Sequence, residues 1–157
     1  MNPPRVREAE PGDIAGILAL YAELRPQDPP ITAARARETL AQFIARPDLR
    51  LLVCEVEGML VCTCMLAVIP QLANGTRPFG VIEHVITLAA HRQRGYARQV
   101  LQHALSLAWS SRCCKVLLLS GAQRTTAHKL YESVGFSGDI ERGFVAKPMP
   151  MNKADIP

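Results

Sequence analysis

Apolar residues recur along the chain with two different periods, and each change of period marks a change of element. Ile14, Ile17, Leu18 and Tyr21 fall at helical spacing within DIAGILALYAEL (13–24), a stretch opened by Pro11-Gly12-Asp13. ITAARARETLAQFIAR (31–46) predicts a second helix, with Thr32 placed to cap its first turn and Pro47 to stop it. LLVCEV (51–56) and MLVCTCMLAVI (59–69) meet at Glu57-Gly58, the pattern of a β-hairpin. A polar loop, PQLANGTRPFG (70–80), leads into the strand VIEHVITL (81–88), and a helix follows over about 96–110. KVLLLS (115–120) is a near-continuous apolar run, which predicts a strand buried on both faces. TAHKLYESV (126–134) predicts a helix ended by Gly135 in a left-handed conformation. FSGDI (136–140) and GFVAKPM (143–149) are the last predicted strands, and RVREA (5–9) is the first.

The resulting order, β-α-α-β-β-β-α-β-α-β-β, is that of an α/β (α+β) chain. There is no repeat, low-complexity tract or linker, so one domain is expected over 1–157, with its core at 5–149 and a short tail at 150–157. Hydrophobic residues at 48% and charged residues at 20% fit an ordinary globular protein and exclude a disordered or fibrous one. MNPPRVREAEPGD lacks the apolar run of a signal peptide, and no later stretch reaches about 18 consecutive apolar residues. A cytoplasmic protein with no membrane partner is expected. The five cysteines, Cys54, Cys62, Cys64, Cys113 and Cys114, lack the paired spacing of a zinc site, so no metal is expected. They read as reduced core thiols, with Cys62 and Cys64 on one face of their strand.

Charge changes the picture at one place. The net charge of +4 and pI of 9.0 suit an anionic ligand but are too mild to indicate nucleic acid, and aromatics at 5% are too few for a base-stacking surface. Arg92, Arg94 and Arg98 cluster around Gly95 in HRQRGYARQ (91–99), where a predicted strand turns into a predicted helix. Helix-start amides have no partners within the helix and lie at the positive end of its dipole, so such a turn cradles phosphate. Gly95 lets the backbone approach an oxygen, and Ala97 keeps the next turn small. A pyrophosphate-sized site follows from these residues alone.

R-Q-R-G-Y-A (92–97) resembles the acyl-CoA pyrophosphate loop, [Q/R]-x-x-G-x-[G/A], of the GNAT superfamily of N-acetyltransferases. IEHVITL (82–88) is similar to that family's fourth strand. AHKLYESVGF (127–136) is similar to its A-x-x-[FL]-Y-x-x-x-G-F segment, at the expected distance downstream, and the element order agrees over residues 5–149. The resemblance implies a mixed, mostly antiparallel sheet of six to seven strands flanked by about four helices. In it, a splayed central strand pair holds acetyl-CoA as co-substrate, with the pantetheine arm pairing with backbone near Val85, Ile86 and Thr87. It implies pyrophosphate contacts from Arg92, Gln93, Arg94, Gly95, Tyr96, Ala97 and Arg98, and further CoA contacts from Ser120, Arg124, His128 and Tyr131. Arg124 stands where many members carry asparagine.

The same resemblance implies that the Tyr131 hydroxyl protonates the departing thiolate. The incoming amine must also lose a proton, and Glu83, a carboxylate in an otherwise apolar strand, is the favoured base. His84 is its competitor. Adjacent strand residues point to opposite faces, so only one of them easily reaches the thioester unless the strand carries a bulge, as the family's does. SGAQRTTAHKLYESVGF (120–136), followed by FVAKPM (144–149), resembles the small-molecule branch of the superfamily, implying direct transfer of acetyl to a small primary amine in a ternary complex. The first two helices and the loop 70–80, with Asn74, Arg77 and Phe79, are expected to shape the acceptor pocket, where Arg77 could meet an acid group. The alternatives are a CoA-binding sensor without turnover and an acetyltransferase acting on a protein N-terminus or lysine. Family members often pair through C-terminal strands, so a homodimer is expected through GFVAKPM, which would otherwise be an open edge.

Overall fold

In the computed structural model, residues 3–148 are described. Strand β1 (Arg5–Glu8) is followed by a single 3-10 turn over Pro11–Asp13, then helices α1 (Ile14–Leu24) and α2 (Ala33–Ile44). Strands β2 (Leu49–Val56), β3 (Met59–Ile69) and β4 (Phe79–Thr87) come next, then α3 (Tyr96–Ser110), the short β5 (Val116–Leu118) and α4 (Thr125–Ser133). The sheet runs β1-β2-β3-β4-β5, antiparallel except for the last pair, β4 with β5. No helix among the described residues is long and apolar enough to cross a membrane.

Local chemistry explains most of these boundaries. Thr32 Oγ1 accepts the Arg35 amide at 3.2 Å, the expected cap of α2. Glu57 and Gly58 both take positive φ, 50° and 81°, which matches the twist of the hairpin that they close. The alternation along β2 sends Leu52 and Cys54 to one face and Leu51 and Val53 to the other. The first pair packs under α3 and α4 with Cys62, Cys64, Leu66, Ile82, Val100, Leu101 and Ala104; the second packs under α1 and α2 with Ile17, Leu20, Leu40, Leu60 and Ile86. All five cysteines are free thiols, and Cys62 and Cys64 do share a face.

Two expectations are corrected. FSGDI (136–140) forms no strand, and neither do the described residues of GFVAKPM, whose Met149 lies outside the described residues; among the described residues the sheet therefore has five strands rather than six or seven. A strand needs a neighbour for its amides and a surface for its apolar face; this segment forms no ladder, and after Phe136 its large apolar side chains face solvent. Ile140, Phe144 and Val145 are 78%, 88% and 70% exposed, and a Lys115–Glu141 ion pair at 2.8 Å ties the segment to the start of β5. The other correction follows from it. As the edge strand, β5 is only half-buried and stops at Leu118, not Ser120, with Leu119 exposed.

Arg7 fastens the N-terminal end of the sheet to α1. Its guanidinium donates to Asp13 at 2.6 and 2.9 Å and to Glu55 at 2.8 and 3.2 Å, and Arg7 and Asp13 are both largely shielded from solvent. The hydrogen bonds from Arg7 hold the Asp13 carboxyl below its ordinary range. A carboxylate with a lowered folded pKa contributes stability that is complete above its unfolded value, about 3.9, and lost as pH falls through the folded one. Replacing Arg7 with Ala leaves Asp13 without its partner and is expected to cost ~2 kcal/mol at neutral pH. In thermal melts, the deficit of Asp13→Asn relative to wild type should shrink as pH is lowered below about 4; a deficit independent of pH would show that Asp13 contributes through packing alone.

Candidate active site

The pairing of β4 with β5 covers only Gly80↔Val116, Val81↔Leu117 and Ile82↔Leu118. Beyond Ile82 the ladder stops, so on this side Glu83–Thr87 has no strand neighbour among the described residues and its edge is open to pairing. On its other side β4 remains paired with β3, but the register slips between Thr63 and Met65: Met65 faces Glu83 while Thr63 faces Ile86. The extra residue is absorbed by a bulge at which His84 takes φ +54°. For a residue with a Cβ that conformation costs roughly 1–2 kcal/mol. The imidazole lies against Tyr21 of α1, ring centroids 5.6 Å apart, and this contact together with the paired strand on either side holds it there.

The bulge breaks the alternation that would set Glu83 and His84 on opposite faces. Glu83, half-buried, stands across from Met65 of the layer under α1, and His84 is turned toward the same helix. Val85 packs into the cluster under α3 and Ile86 into the one under α1. Thr87 Oγ1 donates to the Cys62 thiol at 3.2 Å, and the Thr87 carbonyl accepts from Arg92 Nε at 3.1 Å.

The turn that follows is an amide cradle. Gln93 and Gly95 both have positive φ, 60° and 81°, which re-aims successive N–H groups as α3 begins. The first helical bond runs from the Gln99 amide to the Gly95 carbonyl, and among the described residues the amides of 93–98 donate to no protein acceptor. A Cβ on Gly95 would meet nothing within 4 Å, so the turn is open where an anion would approach. Arg94 and Arg98 are exposed beside it, Tyr96 lies near His91, and Ala97 is tucked against the core. Arg92 differs from its neighbours: besides the Thr87 carbonyl, it faces Glu23 of α1 at 3.8 Å.

Two residues past the end of β5, the Ser120 hydroxyl is buried without a hydrogen-bond partner. Arg124 stands at the N-cap of α4, and His128 Nε2 donates to the Gly121 carbonyl at 3.0 Å, closing the turn between β5 and α4. Tyr131 is buried, with Phe136 edge-on at 6.3 Å. Burial raises the pKa of its hydroxyl, Arg124 opposes that rise, and Cys64 and Glu83 reinforce it. The phenol thus keeps its proton at neutral pH, and Glu83 is near enough to act on it electrostatically. Free amides over an open glycine, surface arginines and an orphaned hydroxyl at the end of β5 together fit a coenzyme with a diphosphate and an amide-bearing arm.

Arg77 is placed elsewhere. Its guanidinium donates to the carbonyls of Arg112 and Cys113 at 3.4 and 3.2 Å, Gln71 donates to the Arg77 carbonyl at 2.7 Å, and Asn74 reaches Cys114. The loop 70–80 is thereby clamped to the segment entering β5, at the paired end of the β4–β5 opening. Sequence reasoning missed Tyr21 and Glu23. Tyr21 falls on the apolar stripe of α1 and reads as core, its hydroxyl being the only signal of another role. Glu23 has no local signal, because its partners lie far along the chain.

The acetyltransferase (GNAT) family matches residues 17–136. A protein from Agrobacterium tumefaciens str. C58, provisionally named as an acetyltransferase, superposes with a TM-score of 0.87 at 40% identity, covering 92% of this chain and 99% of that one. Glucosamine-6-phosphate N-acetyltransferase from Arabidopsis thaliana shares the fold at TM-score 0.82 and 18% identity, covering 96% and 100%. So does AAC(6')-Iy bound to the bisubstrate analogue CoA-S-monomethyl-acetylneamine, at TM-score 0.78 and 17% identity, covering 94% and 100%. No curated protein matches the chain. With the family matched across most of its length and a structure 40% identical, the chain belongs to the acetyltransferase (GNAT) family, as an N-acetyltransferase with acetyl-CoA as its co-substrate.

Proposed function

We propose that the protein transfers acetyl directly to the primary amine of a small molecule, with both substrates bound together. The observation that carries this reading is the opening beside Glu83–Thr87, which has the amide cradle of 93–98 at one end and Glu83, His84 and Tyr131 around it. Acetyl-CoA supplies a thioester activated toward attack by an amine. The protein's own groups do the rest. Amides of 93–98, with Arg94 and Arg98 beside them, hold the diphosphate, and backbone of Val85, Ile86 and Thr87 pairs with the pantetheine arm as a partner strand would. Ser120, Arg124 and His128 border the same opening and complete the coenzyme contacts. A β4 amide facing the opening stabilises charge developing on the acyl oxygen.

Glu83 takes the proton from the incoming amine, and the Tyr131 hydroxyl, kept protonated by burial, gives one to the departing sulfur. His84, packed at a tilt against Tyr21, orients the acceptor side. A small acceptor is supported by the neighbours named for glucosamine-6-phosphate and aminoglycoside acetylation, both alike in fold. The free thiols support a reducing, cytoplasmic setting. Exposed Leu119, Ile140, Phe144 and Val145 beside the open edge of β5 support a homodimer, for which light scattering should give twice the chain mass; a monomer at every concentration would remove it.

A thiol-release assay over an amine library with acetyl-CoA identifies the acceptor, and the absence of turnover with any amine would favour a CoA-binding sensor instead. With an acceptor in hand, Tyr131→Phe should bind acetyl-CoA normally but turn over about 10²- to 10⁴-fold more slowly. Glu83→Gln should be slow at neutral pH and recover partly as pH rises and free amine becomes available. The Phe variant should gain no comparable rescue, since more nucleophile does not repair a poor leaving group. If His84→Gln, and not Glu83→Gln, loses the acidic limb of the pH–rate profile, the base is His84.

A further inference from the structure

Helix α1 touches both ends of the exposed stretch of β4. Tyr21 lies against His84 at the bulge, and Glu23, two residues on in the last turn of the helix, reaches Ala89 and Arg92 just before the amide cradle. Glu23 Oε2 accepts the Ala89 amide at 2.9 Å, which fixes the start of the 3-10 turn Ala89–His91 leading into the cradle. The same carboxylate oxygen lies 3.8 Å from Arg92, whose Nε is bonded to the Thr87 carbonyl at the end of β4. Arg92 is thus engaged on two sides by protein acceptors, whereas Arg94 and Arg98 have no side-chain partner among the described residues. The guanidinium reads as a strut between β4, α1 and the loop, and Glu23 as the residue that sets it.

We propose that Glu23 is a positioning residue for the acyl donor: by holding Arg92 and the Ala89 amide, it fixes the cradle of 93–98 in the orientation that receives the diphosphate. The same helix then ties donor binding to the acceptor side through Tyr21 and His84. This rests on the reading of 93–98 as the diphosphate site.

The alternative has the opposite sign. If Arg92 were itself a phosphate ligand and Glu23 only a competing anion, removing the carboxylate would free Arg92, lessen repulsion and tighten CoA binding. If Glu23 positions the cradle, removing it loosens binding despite that gain in electrostatics. Glu23→Gln keeps an oxygen for the Ala89 amide and loses the charge facing Arg92; Glu23→Ala loses both. Measured by calorimetry with CoA, the dissociation constant should rise by about threefold for Gln and about tenfold for Ala. Glu38→Ala, which removes a more exposed carboxylate paired with Arg35 on α2, should leave it unchanged. In an Arg92→Ala background, Glu23→Gln should add nothing. The melting temperature without CoA reads any general loss of stability separately, and kcat at saturating acetyl-CoA should fall far less than the KM for acetyl-CoA rises. Unchanged or tighter binding in Glu23→Gln and Glu23→Ala overturns the proposal. Failure of the wild type to bind CoA overturns the diphosphate reading itself, so the two failures are distinguishable.

Discussion

The structure depends on one break in hydrogen bonding: the β4–β5 ladder ends at Ile82 and Leu118 while β4 runs on to Thr87. Peptide groups in a protein interior must be paired, and a strand that loses its neighbour keeps a row of donors and acceptors to satisfy. The surrounding elements are arranged about that row. Helix α3 starts beyond its end with a turn of unpartnered amides, α4 brings Tyr131 to its far side, and α1 lies across its covered face. A parallel pair that stayed zipped would leave no place for an extended amide-bearing arm to pair.

Keeping a strand half-paired requires the paired side to be secure. Packing supplies that security, since Leu52, Leu66, Ile82 and Leu101 are fully buried and each such side chain contributes roughly 1.5–3 kcal/mol. Against this background the left-handed conformations at His84 and Gln93 are small costs. Both occur where the backbone must be re-aimed: at the bulge, to bring two neighbouring side chains toward one helix, and at the loop, to turn amides toward a common point. Donor and acceptor sides of the site meet on β4, and α1 contacts both.

Where one residue carried the cause, the sequence could be read. Thr32 capping α2, Glu57-Gly58 closing the hairpin and Gly95 opening α3 are local effects of backbone chemistry, and the alternation in β2 sorted its residues between the two faces correctly. The motif around Gly95 located the cradle. Less legible were features that depend on distant partners. FSGDI and GFVAKPM carry apolar residues as short strands do, but local composition cannot tell whether a sheet edge is there to receive them. VIEHVITL does not announce which residue will bulge, because that depends on register with β3. Arg92 looks like its neighbouring arginines until Glu23, on a helix far earlier in the chain, is seen to face it.

The central claim is that the unpaired stretch of β4 and the amides of 93–98 together receive acetyl-CoA. Hydrogen exchange followed by mass spectrometry, with and without acetyl-CoA, tests it at those amides directly. Exchange should slow in peptides covering Glu83–Thr87 and 93–98 and stay unchanged in those covering β1 and β2, at the opposite side of the sheet. Protection that is absent from both segments, or spread evenly over the chain, would contradict the account.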